Sequence, residues 1–311
     1  MYTSGLLVLA LLATSTSAHG VVTMVKGANG VMMPGLSIAD GTPRDCSSNR
    51  CGSQADTAII RDREINSGQV GPLGRTQGNG PIDPATMIAA FMGTGAAPSV
   101  NAANASVGVE DDLSALRGGN SRNNNNRREE GGMRKVARQF LKNLLGGLGG
   151  GAGGGGTKST VATETMVAQT AGTGATEGLP TCADDGTIEM VFHQINQDGA
   201  GPMEAAIDAT SGGTDPKAFQ QAKVTQDVPG IGFQGLSLAT STDFPLKVQM
   251  PAGMTCEGTV AGVNNVCIVR VRNGAAAGPF GGSAAFTQSA AARKRAIEYR
   301  LKKRAAKVFV A

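Results

Sequence analysis

From Gly118 to Gly156 the chain loses complexity. Glycine pairs give way to four asparagines, Asn123 to Asn126, and then to a glycine run from Gly146 broken only by Leu148 and Ala152. Such a stretch has too little apolar surface to offset the entropy of ordering it. Any fold must therefore be assembled from the sequence on either side. The expected organisation is one domain made of 19–116 and 159–288, with 117–158 a low-complexity basic and Gly-rich insertion and 289–311 a basic tail. Much of the glycine complement, 46 of 311 residues, belongs to the insertion.

The flanks show two periodicities. Thr187 to His193, Phe244 to Met250 and Val266 to Arg272 alternate apolar and polar residues between Gly, Pro and Asp turns, which predicts strands. Asp83-Pro84 predicts a helix start, an acceptor cap followed by Pro at the first helical position, with the helix running Ala85 to Met92 and stopping at Gly93. Short strands, many turns and few helices point to a mainly β fold, an antiparallel β-sandwich with long loops. Ala290 to Phe309 reads as a basic helix with Ile297, Leu301, Ala305 and Val308 on one side.

A whole-chain charge of +4 conceals a segregation. Segment 117–142 carries +6 and segment 293–311 carries +7, which leaves −9 on the rest. Within the insertion, Met133, Val136, Phe140, Leu144 and Leu148 recur at helical spacing among Arg134, Lys135, Arg138 and Lys142. That pattern suits a short tethered helix leaning on the acidic body, or a membrane-surface or anionic-polymer contact by 133–148. Arg127-Arg128, Lys294-Arg295 and Lys303-Arg304 are dibasic pairs open to a processing protease.

Residues 1–18 read as a signal peptide, with the apolar run Leu6 to Ala13 and small residues Thr16 and Ala18 before the cut. That run is too short to cross a bilayer, and no other long apolar stretch follows. A secreted, extracellular or cell-surface chain is expected. Its five cysteines then meet an oxidising compartment. Cys46/Cys51 and Cys256/Cys267 are the nearest pairs and leave Cys182 over, although spacing alone does not fix connectivity. Asn104-Ala-Ser106 is the sole acceptor pattern for N-linked sugar.

Only two histidines occur, His19 and His193. Cleavage after Ala18 makes His19 the chain terminus, so one residue offers both an imidazole and a free α-amine. With the His193 imidazole this gives three nitrogens, a histidine brace of the kind that suits copper(II). The ordinary readings are a frayed terminal residue for His19 and a half-buried strand histidine for His193. In the turn-rich Asn196 to Pro202, Asn196 and Asp198 can fold back toward such a metal or simply form the turn. Gln194 should point to the face opposite His193. Patterns of the HExxH, GxSxG, CxxC and P-loop kinds are absent.

Several segments are similar to the fungal appressorium-associated Egh-like (MAS-type) secreted virulence factors. They are Thr42-Pro-Arg-Asp-Cys46, Gln54 to Asp62, Pro72 to Pro81, Gly108 to Leu113, His193 to Pro202, Thr242 to Leu246, Gln249 to Gly253 and Ala277 to Gly282. The resemblance covers nearly all of 19–116 and 180–288, and implies a secreted factor of host penetration. It also implies departures: Met203 stands where the family has an aromatic, and Ala205, Val271 and Ser283 stand where it has cysteines. On that basis a 271–283 disulfide is lost as a unit, and loss at 205 is what leaves Cys182 unpaired.

Three functions follow as expectations. The first is a copper oxidase resembling lytic polysaccharide monooxygenases, with His19 and His193 as metal ligands and a cell-wall or cuticle polymer as partner. The second is a non-catalytic adhesin or copper carrier at a host surface. The third is membrane-surface activity of 133–148. The absence of Trp and the presence of only 2 Tyr weigh against extensive sugar stacking and against a nucleic-acid platform.

Overall fold

A computed structural model describes residues 19–47, 51–99, 155–197, 199–230, 235–275 and 278–308. The expected signal-peptide segment, the 133–148 pattern, Asn104 and Asp198 lie outside the described residues.

The strands are β1 (Gly20–Lys26), β2 (Met32–Pro34), β3 (Ala58–Ile59), β4 (Arg75–Thr76), β5 (Gly80–Pro81), β6 (Thr157–Lys158) and β7 (Thr187–Gln194). They continue as β8 (Glu204–Asp208), β9 (Phe219–Gln226), β10 (Thr242–Gln249), β11 (Gly258–Val260), β12 (Val263–Arg272) and β13 (Phe280–Phe286). Thirteen strands among the described residues join in the order β2-β1-β7-β10-β9-β8-β12-β13-β3-β4-β5, with β6 on β10 and β11 on β12. Every strand ladder is antiparallel.

This path folds back on itself, so β13 packs across β1 as the facing layer of a sandwich. Gly282 makes the approach feasible: a Cβ there would lie 2.7 Å from the Val22 backbone nitrogen. The core between the layers holds Val22, Met190, Phe192, Leu246, Val269, Ala284 and Phe286, all nearly without solvent contact. Each of the three expected strands is present: β7 runs one residue further, β12 starts three residues earlier, and β10 starts two earlier and ends one short of Met250. The small-residue strands β8 and β13 lack the apolar alternation that betrays a half-buried strand, because β13 is buried throughout.

Helices are few and mostly short: α1 (Asp62–Asn66), α2 (Pro84–Phe91), α3 (Met166–Thr170), α4 (Gly174–Glu177) and α5 (Ala290–Val308). In α2 the Asp83 carboxylate accepts from the Ala85 N–H at 2.9 Å, as the sequence predicts.

Residues on the two sides of the insertion are locked together by a buried ion cluster. Arg44 donates to Asp56 at 2.5 and 2.9 Å and to Glu164 at 3.0 Å. Burial alone would lower the Arg44 pKa, but the two carboxylates outweigh it and hold the guanidinium above its ordinary value. Thr157 and Lys158, the last residues of the expected insertion, pair with Asp243 and Thr242 of β10.

Disulfides join Cys46 to Cys51 and Cys256 to Cys267, and Cys182 is a buried free thiol, its pKa raised chiefly by burial. One expectation needs correction. Val271 lies opposite Gly282, and Ser283 opposite Arg270, so positions 271 and 283 face opposite sides of the sheet and cannot bridge. Ala205 instead stands directly opposite Val271. The natural partner of a cysteine at 205 is therefore one at 271, not Cys182.

Candidate metal centre

The two histidines are brought to one end of neighbouring strands. In the β1–β7 ladder Val21 lies opposite His193 and Gly20 opposite Gln194. The pairing continues one residue further, because the His19 carbonyl accepts from the Ile195 N–H at 3.0 Å. His19 and His193 thus stand diagonally across the end of the ladder. Both are 1% exposed.

His193 sits on the face of β7 turned away from the main core, with Glu189 and Val191, whereas Ile188, Met190 and Phe192 turn inward. Asp243 of β10 is directly opposite on the other side, and its Oδ1 lies 2.6 Å from His193 Nδ1. An ionised carboxylate only accepts, so Nδ1 carries the proton and donates it. A neutral imidazole then has its lone pair at Nε2. That atom is buried and has no hydrogen-bond partner. Buried hydroxyls such as those of Ser37 and Thr57 are in the same state, but an imidazole nitrogen is the strongest metal donor of the set.

His19 is fixed by its backbone and its ring. Its N–H donates to Asn196 Oδ1 at 2.6 Å, and its ring lies 4.3 Å from that of Phe280 with the planes 35° apart. Asn196 folds back onto the His19 main-chain nitrogen, which cleavage after Ala18 would turn into a free amine. Gln194 points to the opposite face, as alternation requires. Its Nε2 lies within donating distance of Asn196 O, Ser237 Oγ and Ala239 O at 2.8–2.9 Å, which ties Asn196 to Ser237 and Ala239.

Sequence reasoning missed Asp243. Its position after Thr242 at the start of an alternating strand was visible, but pairing with His193 is a register fact that periodicity does not contain. Met203, which stands where the family has an aromatic, lies at the start of the other half-sheet, where its N–H donates to Asp227. Among the described residues no group of three or more His, Cys, Asp or Glu is arranged to hold a metal. A brace needs only two histidines and an amine, so it stands below that count. A separate polar cavity of about 670 Å³ opens on the outer face of the β1–β7–β10 region, among Lys26, Asp185, Glu189, Lys247 and Gln249. Neither histidine nor any aromatic ring lines it.

A disulfide-stapled antiparallel sandwich with a histidine pair at one sheet end is the class this fold and site define. The Egh16-like virulence factor family matches residues 17–281, and the chain belongs to that family. It is 54% identical over 304 residues to the appressoria-specific virulence factor GAS2 of Pyricularia oryzae strain 70-15, an alignment spanning 97% of this chain and 94% of the relative. It is also 40% identical over 129 residues to the appressoria-specific virulence factor GAS1 of the same fungus, covering 40% of this chain and 50% of that protein. No solved structure matches the chain.

Proposed function

We propose that this chain is a secreted fungal virulence factor of host penetration whose chemical capacity is copper binding by His19 and His193. The biological half rests on family membership and on the name carried by its 54% identical relative. The chemical half rests on one observation above all: His193 Nε2 is buried without a hydrogen-bond partner while Asp243 holds the proton at Nδ1.

The donor chemistry present is the kind that copper takes. His193 would contribute Nε2, and His19 its ring and its terminal amine after cleavage at Ala18. Bound copper would supply one-electron redox chemistry, with an external reductant and oxygen or peroxide as co-reactants. The chain's own part is positional: Asp243 fixes the tautomer of His193, Asn196 Oδ1 orients the His19 nitrogen, and Phe280 covers the His19 ring. On the monooxygenase-like reading the substrate is a glycosidic C–H bond of a wall or cuticle polysaccharide.

A second reading, a non-catalytic copper carrier or adhesin, draws support from burial. Imidazoles that are 1% exposed admit a small ion far more readily than a polymer, and the polar cavity offers no ring for sugar stacking. The test is EPR of copper-loaded, correctly processed protein. The proposal expects a type-2 signal with nitrogen splitting that is lost in His19→Ala and in His193→Ala. A mature terminus at any residue other than His19 sinks the brace. Oxidised sugar products from a wall polysaccharide then separate the oxidase from the carrier.

A further inference from the structure

Helix α5 has two dissimilar faces. Ser289 caps it, accepting from the Ala292 N–H at 3.1 Å, and Ala292 and Ala296 press against the body. Tyr299 packs over Gly253, where a Cβ would come within 2.9 Å of its ring. The arginines serve this docking. Arg293 donates to Cys256 O and Asn265 Oδ1, Arg295 to Asp184 O, and Arg300 to Thr255 Oγ1. The Cys256–Cys267 disulfide fixes one end of the segment on which they land.

The other face is left to water. Ile297 and Leu301, four residues apart and so on one stripe, are 40% and 58% exposed. At 100° per residue that stripe points away from the Ala292–Ala296 side. Lys294 and Arg304 flank that stripe and have no hydrogen-bond or ion-pair partner among the described residues, and Glu298 is the sole acidic residue of the helix. Two aliphatic side chains are therefore held outward between two cations, Lys294 and Arg304, on a helix whose other side is fastened down.

We propose that the outer face of α5 docks on an anionic lipid bilayer surface. Charge complementarity selects this occupant: segment 293–311 carries +7 while the chain outside the two basic segments carries −9. An anionic surface attracts the helix and repels the body, so the body is oriented away from it. The stripe has no groove around it to match a folded partner. A fluid interface needs none, since shallow aliphatic insertion and long basic side chains reaching the headgroups suffice. This inference is independent of the histidine site.

The experiment is vesicle co-sedimentation of the full chain and of the Ile297→Asp/Leu301→Asp and Lys294→Glu/Arg304→Glu variants. The substituted side chains are all exposed, so unchanged thermal melting checks that each variant is folded. Vesicles contain phosphatidylcholine alone, or with roughly a third phosphatidylserine. The proposal expects binding only to the anionic vesicles, weakened about tenfold or more by each variant and by high salt. Equal binding to neutral vesicles, no binding to anionic ones, or binding that survives both variants overturns it. The last outcome would assign attachment to residues outside α5. Self-association or association with an acidic protein that is lost in Leu301→Asp, with vesicles ignored, also overturns it.

Discussion

His193 and Asp243 face each other across the β7–β10 ladder, Nδ1 to Oδ1 at 2.6 Å, and this pair decides which nitrogen of the imidazole is available. Orienting carboxylates of this kind tune the affinity of the histidine they hold. Asp243→Ala should lower copper affinity by about 10- to 100-fold. Asp243 is 34% exposed, so the fold should tolerate the change, and calorimetric titration beside thermal melting separates the two effects.

The Arg44–Asp56–Glu164 cluster ties together segments 120 residues apart in sequence. Removing one partner of a buried ion group leaves an uncompensated charge. Asp56→Ala should cost about 3–5 kcal/mol, read as a shift of the urea midpoint. Glu164→Gln should cost less, because Asp56 still accepts two of the Arg44 hydrogen bonds.

Strand pairing was the part of this fold least legible in the residues. The α2 cap, the strands β7, β10 and β12 and the C-terminal helix follow from local chemistry, since Asp83-Pro84 and the alternating segments carry their own signals. By contrast, the neighbours of each strand depend on long-range register. That is why His19 and His193 could be named as a pair from sequence while Asp243 could not, and why a 271–283 bridge looked reasonable until the sheet placed those positions on opposite faces. A concrete check follows. Ala205→Cys with Val271→Cys should form a new disulfide, whereas Val271→Cys with Ser283→Cys should retain free thiols, as counted by alkylation and intact mass.

Asp208 closes a tight turn after β8. Burial pushes its carboxyl pKa up, but the Ser211 hydroxyl and the N–H groups of Thr210, Ser211 and Gly213 outweigh that and hold it below the ordinary carboxylate value. A group with a lowered folded pKa stabilises the fold above its unfolded pKa and loses that contribution as pH falls through the folded value. Asp208→Ala should cost about 3 kcal/mol at neutral pH by stranding these donors. Denaturant melts from neutral pH down to about pH 2.5 should show the gap between wild type and variant closing on the acid side. A gap independent of pH would contradict this origin.

The proposed brace is tested most directly by calorimetric titration of copper(II) into chain whose mature terminus has been read as His19. The account predicts one tight equivalent for the wild type, and loss of that tight site in both His19→Ala and His193→Ala with melting of the metal-free proteins retained. A tight equivalent that persists in His193→Ala, or none in the wild type, would contradict it.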